Sequence, residues 1–354
     1  IWDLSTNETR QTIGPFPELI HSVSISDDGA RLLTTQSEGR SVRMWDLMTA
    51  RELQTPQADG GLGPVLDLKR SGGLVWAAVF APADEILTVG GSDARLWDVK
   101  ANKERLSFSP HAAVASANFS PDGRWIVTGS WDNSAKIWDA ASGHAVLKLE
   151  GAHEGFVNTA VFSPNGEFVL TASDDGTAKL WRVTLPPAGE PLAAVVRTFS
   201  GHADRVRYAA FAPKGELVIT TSDDKTARLW NVADGTLVRQ FQGHEWSVLC
   251  ADFSHDGRQL ITGSEDNFAK IWNVATGDCE YTLAGHTAPV ASVAFAPDGA
   301  RVLTGSQEQA AKLWDASTGK EILTLSRHTH DPSGDTHRKP TTSPPAYAAS
   351  RGIP

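Results

Sequence analysis

HADRVRYAAFAPKGELVITTSDDKTARLW, residues 202–230, is the stretch that decides the fold. Three apolar runs of about five or six residues are visible in it, the first ending at Phe211, the second in Thr220–Thr221–Ser222 and the third at Trp230. Their length and their β-branched composition are those of strands. Between the first two lies APKG (212–215), where proline presets φ early in the turn and glycine supplies a positive φ, so a tight hairpin is predicted. Between the second and third lies DDKT (223–226), again a hairpin signal. Past Trp230 a short polar link leads to a fourth run, LVRQF (237–241).

The same frame returns along the chain. Residues 244–272 read HEWSVLCADFSHDGRQLITGSEDNFAKIW, and units 153–181 and 286–314 follow it, with turns SPDG (120–123), SPNG (163–166), SHDG (254–257) and APDG (296–299) in register. The closing tryptophans are Trp2, Trp45, Trp97, Trp138, Trp181, Trp230, Trp272 and Trp314, at intervals of 41 to 52 residues. Four antiparallel strands joined by short loops make a twisted sheet that cannot bury both faces alone and must stack on its copies. A period of about 40–45 residues is that of one four-stranded propeller blade. The expected fold is therefore all-β, a seven-bladed β-propeller of four-stranded antiparallel blades over residues 1–326.

The strand count leaves a surplus: seven first and second strands, but eight third and eight fourth strands, since the chain opens on IWDL (1–4) and reaches EILTL (321–325). One reading closes the ring by pairing a strand around ETRQTI (8–13) onto the last blade, in competition with EILTL, which would remove exposed sheet edges. The alternative is eight blades, or an incomplete eighth. Two interruptions, ADGGLGP (58–64) and the proline-stiffened TLPPAGEPLAA (184–194), read as loops. Residues 327–354 have no periodicity and are rich in Pro, Ser, Thr and Gly, so a disordered tail is expected, its His328, His330 and His337 holding no metal. Because it opens inside a strand-like run, the chain is expected to be a piece of a longer polypeptide.

Composition narrows the function. With 32 Lys and Arg against 42 Asp and Glu, the net charge of −10 argues against nucleic-acid phosphates as partners. No run of about 18 apolar residues is present to act as a membrane span. Cys250 and Cys279, the only two cysteines, each lie in an apolar run. They suit a reducing, cytoplasmic compartment, and both are expected to be packed thiols.

A His, a Ser, an Asp and a Trp recur at fixed offsets: His153, Ser173, Asp175, Trp181; His202, Ser222, Asp224, Trp230; and His244, Ser264, Asp266, Trp272. The residue types could suggest a hydrolase triad. A catalytic constellation occurs once, however, whereas this one repeats with the fold, so the sets are expected to be structural and the chain to have no catalytic residues, metal or cofactor. The paired GH at 201–202, 243–244 and 285–286 and WD at 45–46, 97–98, 138–139 and 314–315 resemble the WD-repeat (WD40) family, and among its members the bacterial arrays that often follow a Ser/Thr kinase domain. The resemblance implies a buried hydrogen-bond chain in each blade, from Asp through His and Ser or Thr to the indole. Some units depart from it: Glu308 replaces the turn Asp in the last, and Gly39 and Gly91 in the first two.

The resemblance further implies that partners dock at the end of the ring where the loops entering the first strands and the second hairpins are exposed. The matching positions are Phe156, Asp174, Arg205, Arg207, Asp223 and Glu265, with Trp76 and Trp131 from the weaker units and Trp246 beside them. Aromatic and arginine side chains on one face have the composition of a protein-binding hot spot. The expectation is a non-catalytic, monomeric scaffold or sensor that binds a protein or peptide as part of a larger signalling protein. A propeller enzyme, or a phosphate- or nucleic-acid-binding propeller, is the alternative, disfavoured by the repeat and by the acidic balance.

Overall fold

The computed structural model describes residues 75–326 apart from 76, 82–84, 92, 100, 102, 109–112, 152, 188–189, 297 and 309, together with isolated strands before residue 75. The region 327–354, where a disordered tail is expected, and Trp76 lie outside the described residues.

Seven antiparallel sheets of four or more strands follow one another in chain order. Sheet 1 holds Ile20–Ile25, Arg31–Gln36, Ser41–Asp46 and Glu52–Leu53, with Leu66–Asp67 also on Ser41–Asp46. Sheet 2 runs from Ala77–Ala81 to Lys103–Phe108 and sheet 3 from Val114–Phe119 to Ala145–Leu149. Sheets 4, 5, 6 and 7 begin at Val157–Phe162, Val206–Phe211, Val248–Phe253 and Val290–Phe295, and end at Leu192–Phe199, Leu237–Gln242, Cys279–Leu283 and Glu321–Ser326. Strand order equals sequence order in each, as short hairpins require. The APKG-type turns close as read: Gly215 has φ 76° and its N–H donates to the Ala212 carbonyl at 2.8 Å.

Burial grades outward across a sheet. The second strand is the most buried, wholly so in Trp125–Ser130, and the third alternates. The fourth is exposed or half-buried except at one residue at or next to its end: Phe108, Leu149, Phe199, Phe241 and Leu283 are each 2 % exposed or less. That residue reaches the next sheet, Phe199 meeting Trp230 at 5.7 Å and Phe241 meeting Trp272 at 5.6 Å between ring centroids. The repeated tryptophan thus fills the seam between sheets, and a register shift just before it, at Leu229/Trp230 for example, adds twist. Each core cluster joins two consecutive sheets, as Leu229 and Phe241 do with Leu260 and Trp272.

A second seam lies at the opposite end from the second hairpins. Arg239, on the outer strand of sheet 5, donates Nη1 to the Thr276 carbonyl and Nη2 to the Ala275 carbonyl, both at 2.6 Å, in the turn joining the last two strands of sheet 6. Arg105 does the same to Ala140 and Ala141, Arg197 to Ala233, and Tyr281 to Ser317.

The N-terminal strand departs from the expected closure. Glu8–Thr9 pairs with Trp2–Asp3 as a separate two-stranded sheet, and the strand of Trp314 pairs instead with Glu321–Ser326. Loop closure decides the competition, since Glu321 follows Asp315 by a short turn whereas residue 8 is most of the chain away. Two smaller expectations change as well. Leu62–Gly63, read as part of a loop, pairs with Thr55–Pro56. Thr184 and Leu192–Ala194 belong to strands that lengthen the third hairpin of sheet 4, which confines the insertion to 185–191.

Cys250 is fully buried, and burial pushes its thiol up to about 12. Cys279 is exposed, contrary to its reading as a packed thiol, because it starts an outer strand on the solvent side.

Candidate partner-binding end and the networks beneath it

In sheet 4 the Asp175 carboxylate accepts a hydrogen bond from His153 Nδ1 at 2.7 Å, His153 Nε2 meets Thr171 Oγ1 at 2.7 Å, and the Trp181 indole donates to that same oxygen at 3.0 Å. Every group is satisfied by a neutral imidazole with its proton on Nδ1, the threonine hydroxyl donating to Nε2 while accepting from the indole. Sheet 5 repeats the chain with Asp224, His202, Thr220 and Trp230, and sheet 6 with Asp266, His244, Thr262 and Trp272.

The serines are not the relay, which corrects the assignment of Ser173, Ser222 and Ser264 to it. Each sits two residues after the threonine and therefore at another height along the strand. Ser173 Oγ donates to the Gly155 carbonyl at 3.0 Å and accepts from the Asp175 N–H at 3.1 Å, and Ser222 and Ser264 repeat this toward Asp204 and Trp246. The serine locks the loop that carries the His to the turn that carries the Asp. The Thr-x-Ser signal held both roles, and the threonine was missed.

The last unit keeps the chain despite its substitution. The longer side chain of Glu308 reaches His286 Nδ1 at 2.5 Å and the Thr287 N–H at 2.6 Å, and His286 continues to Thr304 and Trp314. Sheets 2 and 3 retain the inner half, Trp97 to Thr88 at 2.8 Å and Trp138 to Thr128 at 2.9 Å. Burial raises the pKa of Asp175, Asp224 and Asp266, but the hydrogen bonds each accepts from its histidine and from neighbouring loop and turn groups outweigh it and hold all three below the usual carboxylate value.

These networks fix the loops of one end. Turn residues Asp174, Asp223 and Glu265 donate their N–H groups to the carbonyls of Phe156, Arg205 and Ser247, so each second hairpin is tied to the entry of its own first strand. Trp131 stacks on Phe156 of the next sheet, with centroids 5.6 Å apart and planes at 18°. Phe156 is 45 % exposed and Trp246 60 %. Aromatic surface is thus presented on this end by Trp131, Phe156 and Trp246.

The arginines are engaged within the protein. Arg207 Nε donates to Asp223 Oδ1 at 2.7 Å. Arg205 Nε lies 3.8 Å from Asp174, which also accepts from Asn158 Nδ2 at 2.7 Å. Burial opposes the Arg207 charge, and Asp223, Asp174 and Glu265 outweigh it, so its pKa is raised. Among the described residues, the Glu265 carboxylate has no hydrogen bond or contact ion pair.

The comparisons with known proteins agree with this geometry. The repeat pattern described as WD40, WD domain, G-beta repeat matches residues 9–46, 102–139, 144–182, 193–231, 235–273 and 277–315. Each match after the first begins near an outer strand and ends on the third strand of the next sheet, so the sequence unit straddles the seam that its tryptophan fills. The chain is similar to the guanine nucleotide-binding protein subunit beta of Solanum tuberosum (30 % identical over 155 residues, 41 % of this chain and 38 % of that protein). It also resembles the WD repeat-containing protein 55 homolog of Dictyostelium discoideum (34 % over 84 residues, 22 % and 21 %) and the transcription initiation factor TFIID subunit 5 of Caenorhabditis elegans (27 % over 150 residues, 42 % and 21 %). The matches span less than two-fifths of these relatives' lengths. Among solved structures, the computationally designed Ika8 protein superposes with a TM-score of 0.70 at 22 % identity, covering 89 % of each chain, which supports the fold. With tryptophans in the seams, threonine-centred networks under one end and the repeat pattern matched over more than half its length, the chain belongs to the WD40 family of β-propellers.

Proposed function

We propose that the chain is a non-catalytic protein-interaction module whose partner, a protein or peptide segment, docks on the end carrying Trp131, Phe156 and Trp246. The carrying observation is large aromatic surface left in solvent on loops that buried networks hold rigid. Rigid aromatic anchors lose little conformational entropy on contact, which is why such residues dominate interface energetics. Recurrence of the His–carboxylate sets in four sheets, three with Asp and one with Glu, supports a structural role for them. Two of the similar proteins are named as subunits, hence as members of assemblies. On this reading the module works as a monomer in the cytoplasm, within a larger signalling polypeptide.

The test is capture of partners by cross-linking in cell extract, identified by mass spectrometry. Trp246→Ala and Phe156→Ala should each weaken capture by about 1–3 kcal/mol, the range of a hot-spot position. Lys214→Glu, in the APKG turn at the opposite end, should leave it unchanged. Equal effects at both ends, or at neither, would remove the assignment.

A further inference from the structure

The charges around the aromatic surface specify the partner further, and this step rests on the reading just given. The carboxylates at this end divide into two groups. Asp175, Asp224, Asp266 and Glu308 are bound to histidines, while Asp174 and Asp223 face Arg205 and Arg207. Neither arginine is therefore an uncompensated cation, although both stand exposed or half-exposed. Among the described residues, the charged side chains on the same loops of sheets 4 to 6 without an ion-pair contact are Glu154, Asp204, Glu245 and Glu265, against Lys225 alone. Glu154, Asp204 and Glu245 are exposed, each within two residues after a network histidine.

Glu265 occupies a position of its own. Asp174 and Asp223, its counterparts in sheets 4 and 5, are each met by an arginine, whereas the sheet 6 and 7 residues corresponding to Arg205 are Ser247 and Pro289. Its N–H is bonded to the Ser247 carbonyl at 2.9 Å, which sets it on the same loop pair as Trp246. The equivalents of Trp246 in the neighbouring sheets are Gly155, Asp204 and Ala288, so the indole is an addition to the repeat. A carboxylate with no contact ion pair, set on the same loops as an exposed indole, suits a cation, through ion pairing and the negative face of the ring.

We propose that the partner segment is basic: a Lys- or Arg-bearing stretch of protein, one cationic side chain of which lies against Trp246 and Glu265 while its apolar residues cover the Trp131–Phe156 stack. The role of Arg205 and Arg207 is then to neutralise Asp174 of the preceding sheet and Asp223 of their own, leaving the negative excess toward sheet 6.

Fluorescence anisotropy with short labelled peptides alternating Lys with Leu, and with their Glu–Leu counterparts, tests the sign directly. The Lys–Leu peptide should bind in preference, with affinity falling as salt is raised. Neutralising Glu154, Asp204, Glu245 and Glu265 together (to Gln or Asn) should weaken it about tenfold or more, the scale of losing several steering charges. Neutralising Glu167, Glu216, Asp278 and Asp298 at the opposite end removes the same charge and should change it little. Arg205→Ala, which enlarges the negative excess, should tighten binding. Preference for the Glu–Leu peptide, no binding of either, or equal loss from both sets of neutralisations would overturn the proposal. The aromatic substitutions above report on the docking end itself, so a partner captured through Trp246 and Phe156 yet insensitive to these charges would refute the basic segment alone.

Discussion

At the scale of the residue, the threonine in the middle of each network does more than its small size suggests. Thr220 Oγ1 serves both His202 and Trp230 and is completely buried, so its loss would strand two polar groups at once. Thr220→Val preserves shape and removes only the hydroxyl. It should destabilise the protein by about 1–3 kcal/mol, the penalty for unsatisfied buried groups. Ser222→Ala should cost less, about 1 kcal/mol, since its bonds tie one loop to one turn. Urea unfolding of the two variants checks the order, and a larger loss at Ser222 would contradict the relay described here. The sequence showed that His, Asp and Trp belonged together through their common offsets. It could not rank Thr220 above Ser222, because both alternate onto the same face of a strand and only the height of the imidazole against that strand selects between them. Glu308 was hidden for a similar reason, as one more methylene looked like a lost partner until the reach of its carboxylate was seen.

At the scale of the element, turns and strands were legible and the joints between sheets were not. Period-two apolar runs bounded by Pro, Gly and Asp fix hairpins locally, and that information lies within a few residues. The Arg239 clasp depends on the angle between two sheets, which no local pattern encodes, although Arg197, Arg239 and Tyr281 stand at the same register position on the outer strands of sheets 4, 5 and 6, and Arg105 lies one residue away from it in sheet 2. The clasp also constrains a glycine. Gly277 has φ +85° and a Cβ there would lie 2.6 Å from Arg239 Cδ. Gly277→Ala should therefore cost about 1–2 kcal/mol from the left-handed backbone, plus the collision. Arg239→Ala alone should cost about 1 kcal/mol in lost charge-assisted bonds, at the low end because the contact is solvent-exposed. In the double variant the collision disappears, so its loss should be smaller than the two single losses combined. Additive losses measured by chemical unfolding would mean that the arginine does not press on the turn.

At the scale of the whole molecule, recurring networks make stability a function of pH. Asp175, Asp224, Asp266 and Glu308 titrate below their ordinary values in the folded chain, so their contribution is present above the unfolded carboxylate range, about pH 4–4.5, and is lost as pH falls from there toward their folded values. His286 acts in the same direction but earlier. Burial lowers its pKa against the opposing pull of Glu308, so the unfolded chain takes up a proton first and stability begins to fall below about pH 6.5. The net charge of −10 works the other way, because acid relieves self-repulsion. Salt separates the two effects: at about 0.15 M the screening length is near 8 Å, which damps repulsion across the surface and leaves contacts of 2.5–2.8 Å intact. Calorimetric melting from pH 8 down to 3 at that ionic strength should show a shallow decline starting near pH 6.5 and a steep one below about pH 4.5. His286→Gln should flatten the shallow part relative to the parent while leaving most of the steep part, which belongs to the aspartates of sheets 4 to 6 apart from the share of Glu308. A melting temperature that holds level to pH 3 would mean that the buried carboxylates contribute nothing to the fold they are bonded into.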